Sequence, residues 1–293
     1  MLPGMAEKPS IAIVGAGNLA TALAVALREA GYQIDAVVAG TRRKRARGLA
    51  KLTASRAVVS AAEVKARILW FCVPDDKIRR AAAALAGAFQ ARGKIALHSS
   101  GALSSDELEP LRRKGAAVAS VHPLMTFVRG SRPTLVGVSF ALEGDPVAVR
   151  VARSIVRDLG GEPFAIRKKD KKAYHALGTF ASPLLTALLA SAEQVARLAG
   201  MTGRAARQRM LPILLQTVRN YGTFGAAGGF SGPIVRGDVE TVRRHLEALR
   251  TAPVPQQVYR ALARAALEYL PAKRKTLLRG LLDSTDTDSG ARA

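Results

Sequence analysis

The sequence predicts an α/β fold: a doubly wound parallel sheet followed by an all-helical second domain. Three observations support this prediction. A glycine-rich turn near residue 15 joins a strand pattern to a helical pattern, strand and helix patterns then alternate to about residue 167, and only helical periodicity follows. Alternation of this kind is typical of βαβ units, which build parallel sheets.

The predicted strands lie at residues 10–15, 34–39, 56–59, 67–72, 94–98, 116–120 and 136–142, with an edge strand at 162–166. The predicted helices lie at 18–30, 43–52, 76–90, 104–114 and 146–159, and a long helix at about 170–199 opens the second domain. These elements predict a dinucleotide-binding domain at 9–167, a helical domain at 168–282 and a disordered tail at 283–293.

The glycine-rich turn is the most informative feature of the chain. Gly15 permits a sharp turn, Gly17 lets the backbone approach a pyrophosphate, and Ala20 takes the place of a third glycine in the Rossmann-type fingerprint. The free N–H groups at the start of the following helix attract phosphate. The cofactor-binding residues predicted here are Gly15, Ala16, Gly17, Asn18 and Leu19.

The end of the second predicted strand indicates which dinucleotide binds. Asp35 has the sequence spacing of a ribose ligand, but it lies near the start of its strand, about 15 Å from the carboxyl end where ribose binds. Thr41, Arg42 and Arg43 follow that end, and arginine can grip a 2′-phosphate through two hydrogen bonds. We therefore expect NADP(H); the alternative is a solvated, basic helix start.

Two later strands also end in residues that fit the crevice. Backbone at Val73 and Pro74 is expected to line the middle of the cofactor. Ser99, Ser100 and Gly101 are expected to face the nicotinamide and the substrate, because ligands of open α/β sheets bind at the carboxyl ends of the strands.

The four histidines, His98, His122, His175 and His245, have no metal-ligand spacing, so no metal is predicted. His122 is expected just after a short strand, where it either binds substrate or hydrogen-bonds backbone; both interpretations stay open. Lys171 and His175 share one helical face and are the predicted proton donor and relay for a carbonyl. The alternative is a solvated basic turn with a core-lining histidine.

The segment after residue 219 carries the remaining candidates. Arg236 either clamps a substrate carboxylate or pairs with Asp238, the expected N-cap of the next helix. Asn220, expected at the end of the preceding helix together with Tyr221, is a further substrate-binding candidate.

Composition limits the function classes. The chain has 45 Lys and Arg against 22 Asp and Glu, a net charge of +23, but the basic residues are scattered and aromatic residues make up only 5%. We therefore expect a solvated basic surface rather than a nucleic-acid partner. One cysteine excludes an intrachain disulfide, and the apolar runs look too short or too interrupted to span a bilayer. We expect a cytoplasmic protein.

Six motifs resemble those of a bacterial family of two-domain Rossmann oxidoreductases whose helical C-terminal domain long lacked an assigned function. They are Gly-Ala-Gly-Asn-Leu-Ala (15–20), Val-Pro-Asp-Asp (73–76), His-Ser-Ser-Gly-Ala-Leu (98–103), His-Pro-Leu (122–124), Asp-Lys-Lys-Ala-Tyr-His-Ala (170–176) and Gly-Pro-Ile-Val-Arg-Gly-Asp (232–238). More distantly, the chain resembles ketopantoate reductases, pyrroline-5-carboxylate reductases and β-hydroxyacid dehydrogenases.

The resemblance carries implications of its own. β-Hydroxyacid dehydrogenases use a Lys-x-x-x-Asn pair as catalytic acid, and the corresponding pair is Lys171 and His175. The family commonly has Ala-Ser-Asn in this helix, where the present chain has Ala181, Ser182 and Pro183; the proline is expected to kink the helix. The resemblance also implies a homodimer formed through the helical domain, and ketopantoate as one substrate.

The leading hypothesis is an NADPH-dependent reductase of a small anionic keto or imino acid. The main alternative is a non-catalytic NADP-binding sensor or interaction protein, since fold does not dictate function. A third hypothesis, nucleic-acid binding by the basic surface, predicts a steep salt dependence.

Overall fold

The computed structural model of the chain describes residues 8–40 and 43–284. The chain divides into two compact units, residues 1–182 and 183–293, which we call the α/β unit and the helical unit. This division falls later than the sequence-based boundary after residue 167, inside the long helix predicted there.

One sheet runs through the α/β unit. Its strands are β1 Ile11–Val14, β2 Ile34–Val38, β3 Arg56–Val58, β4 Ile68–Phe71, β5 Ile95–His98, β6 Ala117–Pro123, β7 Ser139–Gly144 and β8 Glu162–Ala165. Their order across the sheet is β3-β2-β1-β4-β5-β6-β7-β8. Strand β1 pairs with β2 on one side and with β4 on the other, so the order of the strands reverses at β1. Doubly wound folds open a crevice at this topological switch point.

Helices cover both faces of the sheet. They are α1 Asn18–Glu29, α2 Arg43–Leu52, α3 Ile78–Ala86, α4 Glu109–Arg112 and α5 Pro146–Asp158. A further helix, α6 Lys171–Thr179, follows β8. Alternate residues of β1 enter different cores: Ile11 and Ile13 pack with α1, α2 and α5, whereas Ala12 and Val14 pack with α3 and α4. Burial on both faces explains why the strands are almost continuously apolar.

The sheet departs from the predicted all-parallel arrangement at one pair of strands. β6 and β7 are antiparallel, whereas the other neighbours are parallel. The physical reason is the connection between them: residues 124–138 contain no crossover helix, which a parallel neighbour would need. β6 is also longer than predicted, so His122 lies within the strand, opposite Ala141, and not after it.

The helical unit contains α7 Leu185–Leu198, α8 Gly203–Gly229, α9 Pro233–Arg236, α10 Val239–Ala248, α11 Pro253–Tyr269 and α12 Lys275–Asp283. No strand occurs between residues 183 and 284, as the sequence predicts. Its core is formed by α10, α11 and α12 through Val242, Leu246, Ala263, Leu267, Leu278 and Leu282. Helix α12 includes Asp283, which the sequence assigned to the tail; residues 285–293 lie outside the described part of the chain.

Two helix predictions need correction or refinement. The expected kink at Pro183 takes the form of a π-helical turn, Phe180–Leu184, because proline lacks the N–H that a regular turn would use. Asn220 does not end a helix: α8 continues to Gly229, and the backbone break falls instead at Gly225, with φ 70°. Glycine tolerates that left-handed backbone, so the helix resumes after the break.

One helical stretch is longer and more continuously apolar than the sequence analysis expected. The helical stretch Lys168–Leu198 is long and apolar enough to cross a bilayer, and its most apolar window is 0% buried within the structure. One such helix is weak evidence for a membrane protein, but it leaves a large apolar surface without cover.

Candidate active site

A crevice of about 640 Å³ opens at the carboxyl ends of the central strands. Its walls come from the glycine turn, from the segment after β4 and from the segment after β5. The predicted cofactor and substrate residues that line it are Gly15, Ala16, Gly17, Asn18, Leu19, Val73, Pro74, Ser99 and Ser100. The predicted segments therefore converge on one cavity of the α/β unit.

Gly15 and Gly17 are glycines for different reasons. Gly15 has φ +112°, and a Cβ there would lie 2.6 Å from the carbonyl oxygen of Cys72, so the fold itself requires glycine. A Cβ at Gly17 would meet no atom within 4 Å, and its backbone is extended, with φ −83°. The fold does not require glycine at position 17, whereas a ligand lying against the turn would.

Cationic side chains surround the crevice. Lys77 and Arg80, which follow β4, line it directly. A second cavity of about 410 Å³ shares Ala16, Gly17 and Asn18 with the crevice and carries Arg45, Arg129 and Arg132. Arg43 is exposed in the first turn of α2, and Thr41 and Arg42 lie outside the described residues. Asp35 is engaged elsewhere, since its carboxylate accepts the Lys65 and Ala66 N–H groups and pairs with Arg56.

The turn after β5, Ser99–Gly101, is held by hydrogen bonds to its hydroxyl groups. Trp70 Nε1–H donates to Ser99 Oγ over 2.9 Å. Ser100 Oγ donates to Asp75 Oδ2 over 2.8 Å and accepts the Leu103 N–H over 3.0 Å. Both predicted substrate-binding hydroxyls therefore stabilise the turn itself.

Lys171 lies beneath the same turn. Its side chain is fully buried, and its Nζ donates to Ser120 Oγ over 2.8 Å and to the Ser100 carbonyl oxygen over 3.1 Å. Burial lowers the pKa of Lys171 to about 8, against the opposing charges of Glu143 and Asp75. Direct proton donation by Lys171 stays a prediction. The observed hydrogen bond holds the Ser100 carbonyl group in place.

His98 has both ring nitrogens paired. Nδ1 accepts the Ser100 N–H over 3.1 Å, and Nε2 lies 3.0 Å from the Ser104 carbonyl oxygen, to which it donates. A second ring proton would have to sit on Nδ1, where it would clash with the Ser100 N–H. Burial lowers the pKa of His98 to about 4, so the imidazole stays neutral.

Two more imidazoles converge on Gly101. A Cβ at Gly101 would lie 2.6 Å from His175 Cδ2 and 2.8 Å from His122 Nε2. The rings of His122 and His175 are 6.1 Å apart. His122 Nδ1 lies 3.1 Å from Tyr174 Oη, with the two rings edge-on at 5.5 Å. Glycine at 101 lets both imidazoles pack against the turn that borders the crevice.

The candidates of the helical unit lie on helices. Asn220 accepts a hydrogen bond from Gln216 Nε2 within α8. Arg236 is exposed at the end of α9. Asp238 caps α10 by accepting the Thr241 N–H, and that bond, more than the charge of Arg236, lowers the pKa of Asp238. Substrate binding by Asn220 and Arg236 stays a prediction.

Four residues of the site were not predicted as site residues from the sequence: Tyr174, Lys77, Arg80 and Asp75. Lys77 and Arg80 lie at the start of α3, the helix that follows β4, and this position could have identified them. Tyr174 gave no such signal, because its contact with His122 spans 52 residues. Within the described part of the chain, no group of three His, Cys, Asp or Glu side chains is arranged to hold a metal.

The crevice, the glycine turn and the strand order define a Rossmann-type dinucleotide-binding fold. Residues 5–123 match a family model described as a Rossmann-like domain, and residues 138–266 match one described as a domain of unknown function, DUF2520. The second match begins just before β7 in the α/β unit and extends into α11 of the helical unit. No curated protein sequence matches it significantly.

Solved structures share this fold over most of the chain. A Bacteroides fragilis protein assigned as an NADP oxidoreductase is 22% identical, with TM-score 0.76, covering 88% of this chain and 98% of its own. A Pseudomonas imine reductase is 21% identical, with TM-score 0.61 and coverages of 89% and 94%. A Plasmodium falciparum pyrroline carboxylate reductase with NADP bound is 16% identical, with TM-score 0.57 and coverages of 94% and 100%.

Proposed function

We propose that the protein is an NADPH-dependent reductase of a C=N or C=O bond in a small anionic imino or keto acid. The proposal rests on the crevice, which runs from Gly17 to the turn at Ser99 and Ser100. No neighbouring atom of the protein requires glycine at position 17. A dinucleotide laid along it has its pyrophosphate at the start of α1 and its nicotinamide near Gly101. The names of the similar structures support the same chemistry.

The positive charges favour the phosphorylated dinucleotide. Arg43, Arg45, Lys77 and Arg80 lie at or near the adenosine half of the proposed cofactor position, and arginine recognises phosphate through paired hydrogen bonds. When bound, NADPH supplies a hydride. The polar groups beside Gly101 orient the acceptor, with Lys171 fixing the turn from below.

The test is an NADPH-consumption assay against a panel that begins with cyclic imines and pyrroline carboxylates and continues with 2-keto acids. We expect turnover with at least one member and a clear preference for NADPH over NADH. Ketopantoate is not proposed, since none of the similar structures named above is a ketopantoate reductase. Saturable NADPH binding with no turnover would favour the sensor hypothesis, and salt-sensitive DNA retention with no nucleotide binding would favour the third.

A second copy of the chain is the proposed partner. Apolar side chains on α7 and α8 are exposed, and so large an uncovered surface is unusual for a monomer. They include Leu185, Val195, Leu198, Leu211, Ile213, Leu215, Val218 and Phe224. Light scattering should give twice the chain mass of 30.9 kDa, and Ile213→Asp should yield monomer. A monomeric wild type that associates with lipid vesicles would contradict the dimer.

A further inference from the structure

The contact between His122 and Tyr174 raises the question of which atom holds the proton. Tyr174 Oη and His122 Nδ1 are 3.1 Å apart, so one proton lies between them. A phenol is a stronger acid than a neutral imidazole N–H, and an imidazole nitrogen is a better acceptor than a phenol oxygen. The favoured arrangement therefore has Tyr174 donating to Nδ1, which leaves the ring proton of His122 on Nε2.

The surroundings keep both groups in this state. Burial, reinforced by the charges of Lys171 and His175, lowers the pKa of His122 to about 4. Burial raises the pKa of Tyr174 to about 12. At neutral pH the imidazole therefore carries one proton and the phenol keeps its own.

His122 Nε2 is accessible beside the crevice. It has no hydrogen-bond partner among residues 8–40 and 43–284. In that part of the chain every buried side-chain nitrogen or oxygen has a partner, so an atom without one is not buried. Nε2 is therefore open to solvent. It lies against Gly101, the residue that follows the crevice-lining Ser100.

We propose that Tyr174 holds His122 in its Nε2–H tautomer and that this N–H donates a hydrogen bond to the carbonyl oxygen or imine nitrogen being reduced. The inference rests on the proposed function. The hydride brings both electrons of the new C–H bond, the π electrons move to oxygen or nitrogen, and that atom takes a proton from water. His122 Nε2–H stabilises the charge that develops there. His122 is the catalytic residue and Tyr174 the positioning residue.

The first test needs neither cofactor nor substrate. Nitrogen-15 NMR of the full chain labelled in histidine reads the tautomer of each ring, and His122→Gln assigns the His122 signal. We expect the Nε2–H tautomer in the wild type and a mixture of tautomers in Tyr174→Phe. A wild-type His122 that is charged, or that carries its proton on Nδ1, overturns the proposal, as does a Tyr174→Phe spectrum identical to the wild type. If Tyr174→Phe does not fold, the wild-type spectrum decides alone.

The chain provides a matched control. His245 Nδ1 lies 3.1 Å from Tyr259 Oη in the helical unit, with the rings edge-on at 5.8 Å. Tyr259→Phe should change the His245 signal and leave that of His122 unchanged.

The second test separates the tautomer from general damage. A neutral cyclic imine gains a stabilising hydrogen bond during reduction, whereas its N-methylated, permanently charged iminium counterpart takes hydride alone. We expect Tyr174→Phe to lower kcat about 10-fold for the imine, with KM little changed, and to leave the iminium rate intact. Equal losses for both substrates would overturn the assignment. A wild type that oxidises NADPH with no member of the substrate panel would instead refute the proposed function, whatever the tautomer.

Discussion

The two units each contain a histidine and a tyrosine in nearly the same contact, yet we assign chemistry to only one of them. Both pairs have Nδ1 and Oη at 3.1 Å and edge-on rings. In the α/β unit, His122 lies against Gly101, which borders the crevice, and the charges of Lys171 and His175 act on it. The pair in the helical unit joins α10 to α11. The lesson is that a contact becomes a candidate site through what surrounds it.

The largest expected contrast is the response to acid. The pKa of His98 is lowered from 6.5 to about 4, so the unfolded chain binds more protons than the folded chain between those values. Stability should therefore fall as pH drops from 6.5 towards 4, by about 3 kcal/mol from His98 alone. Urea unfolding followed by Trp70 fluorescence, which reports the α/β unit because Trp70 is the one tryptophan, measures this.

His98→Asn removes that titration and should make the α/β unit less sensitive to pH across the same range. His245→Asn in the helical unit is the control and should leave the Trp70 transition unchanged. Acid sensitivity that survives His98→Asn in full would assign it to other groups.

The next contrast is between two glycines with open space around their Cβ positions, Gly17 in the α/β unit and Gly280 in the helical unit. Gly17→Ala should fold normally but weaken NADPH binding about 100-fold, because its methyl group enters the proposed pyrophosphate position. Gly280→Ala should bind as the wild type does. A fluorescence titration with NADPH measures both; equal affinities would place the cofactor elsewhere.

A smaller effect is expected at Gly101. Gly101→Ala would bring a methyl group to within 2.8 Å of His122 Nε2, so the imidazole must rotate away. We expect kcat to fall about 10-fold while NADPH affinity stays unchanged. Unaltered kcat would mean that the imidazoles beside Gly101 take no part in the reaction.

The smallest effect is expected for the stability of the helical unit. Gly280 lies inside α12, and Gly280→Ala should stabilise that helix by up to about 1 kcal/mol through helix propensity. Far-ultraviolet circular dichroism during thermal unfolding should show a higher midpoint, with the Trp70 transition unchanged. A lower midpoint would mean that packing opposes the added methyl group.

Much of the fold was predictable because it depends on residues that are close together in the sequence. The glycine turn, the apolar strands and the N-cap at Asp238 depend on neighbouring residues, and all were identified. The antiparallel β6–β7 pair and the long α8 depend on the chain's wider arrangement. At the site, the crevice-lining segments were identified, but Tyr174 at His122 and Lys171 beneath Ser100 were not. Those contacts join residues 52 and 71 positions apart, which no local pattern specifies.

Transfer of deuterium from the cofactor to the product tests whether this protein is an NADPH-dependent reductase. Wild-type protein is mixed with the best substrate of the panel and with NADPH that carries deuterium at both C4 positions of the nicotinamide ring. The mass of the product is then measured by mass spectrometry. We expect one deuterium in the product for each NADPH consumed. Reduced product that carries no deuterium from the cofactor, or NADPH that remains intact with every substrate, would contradict this expectation.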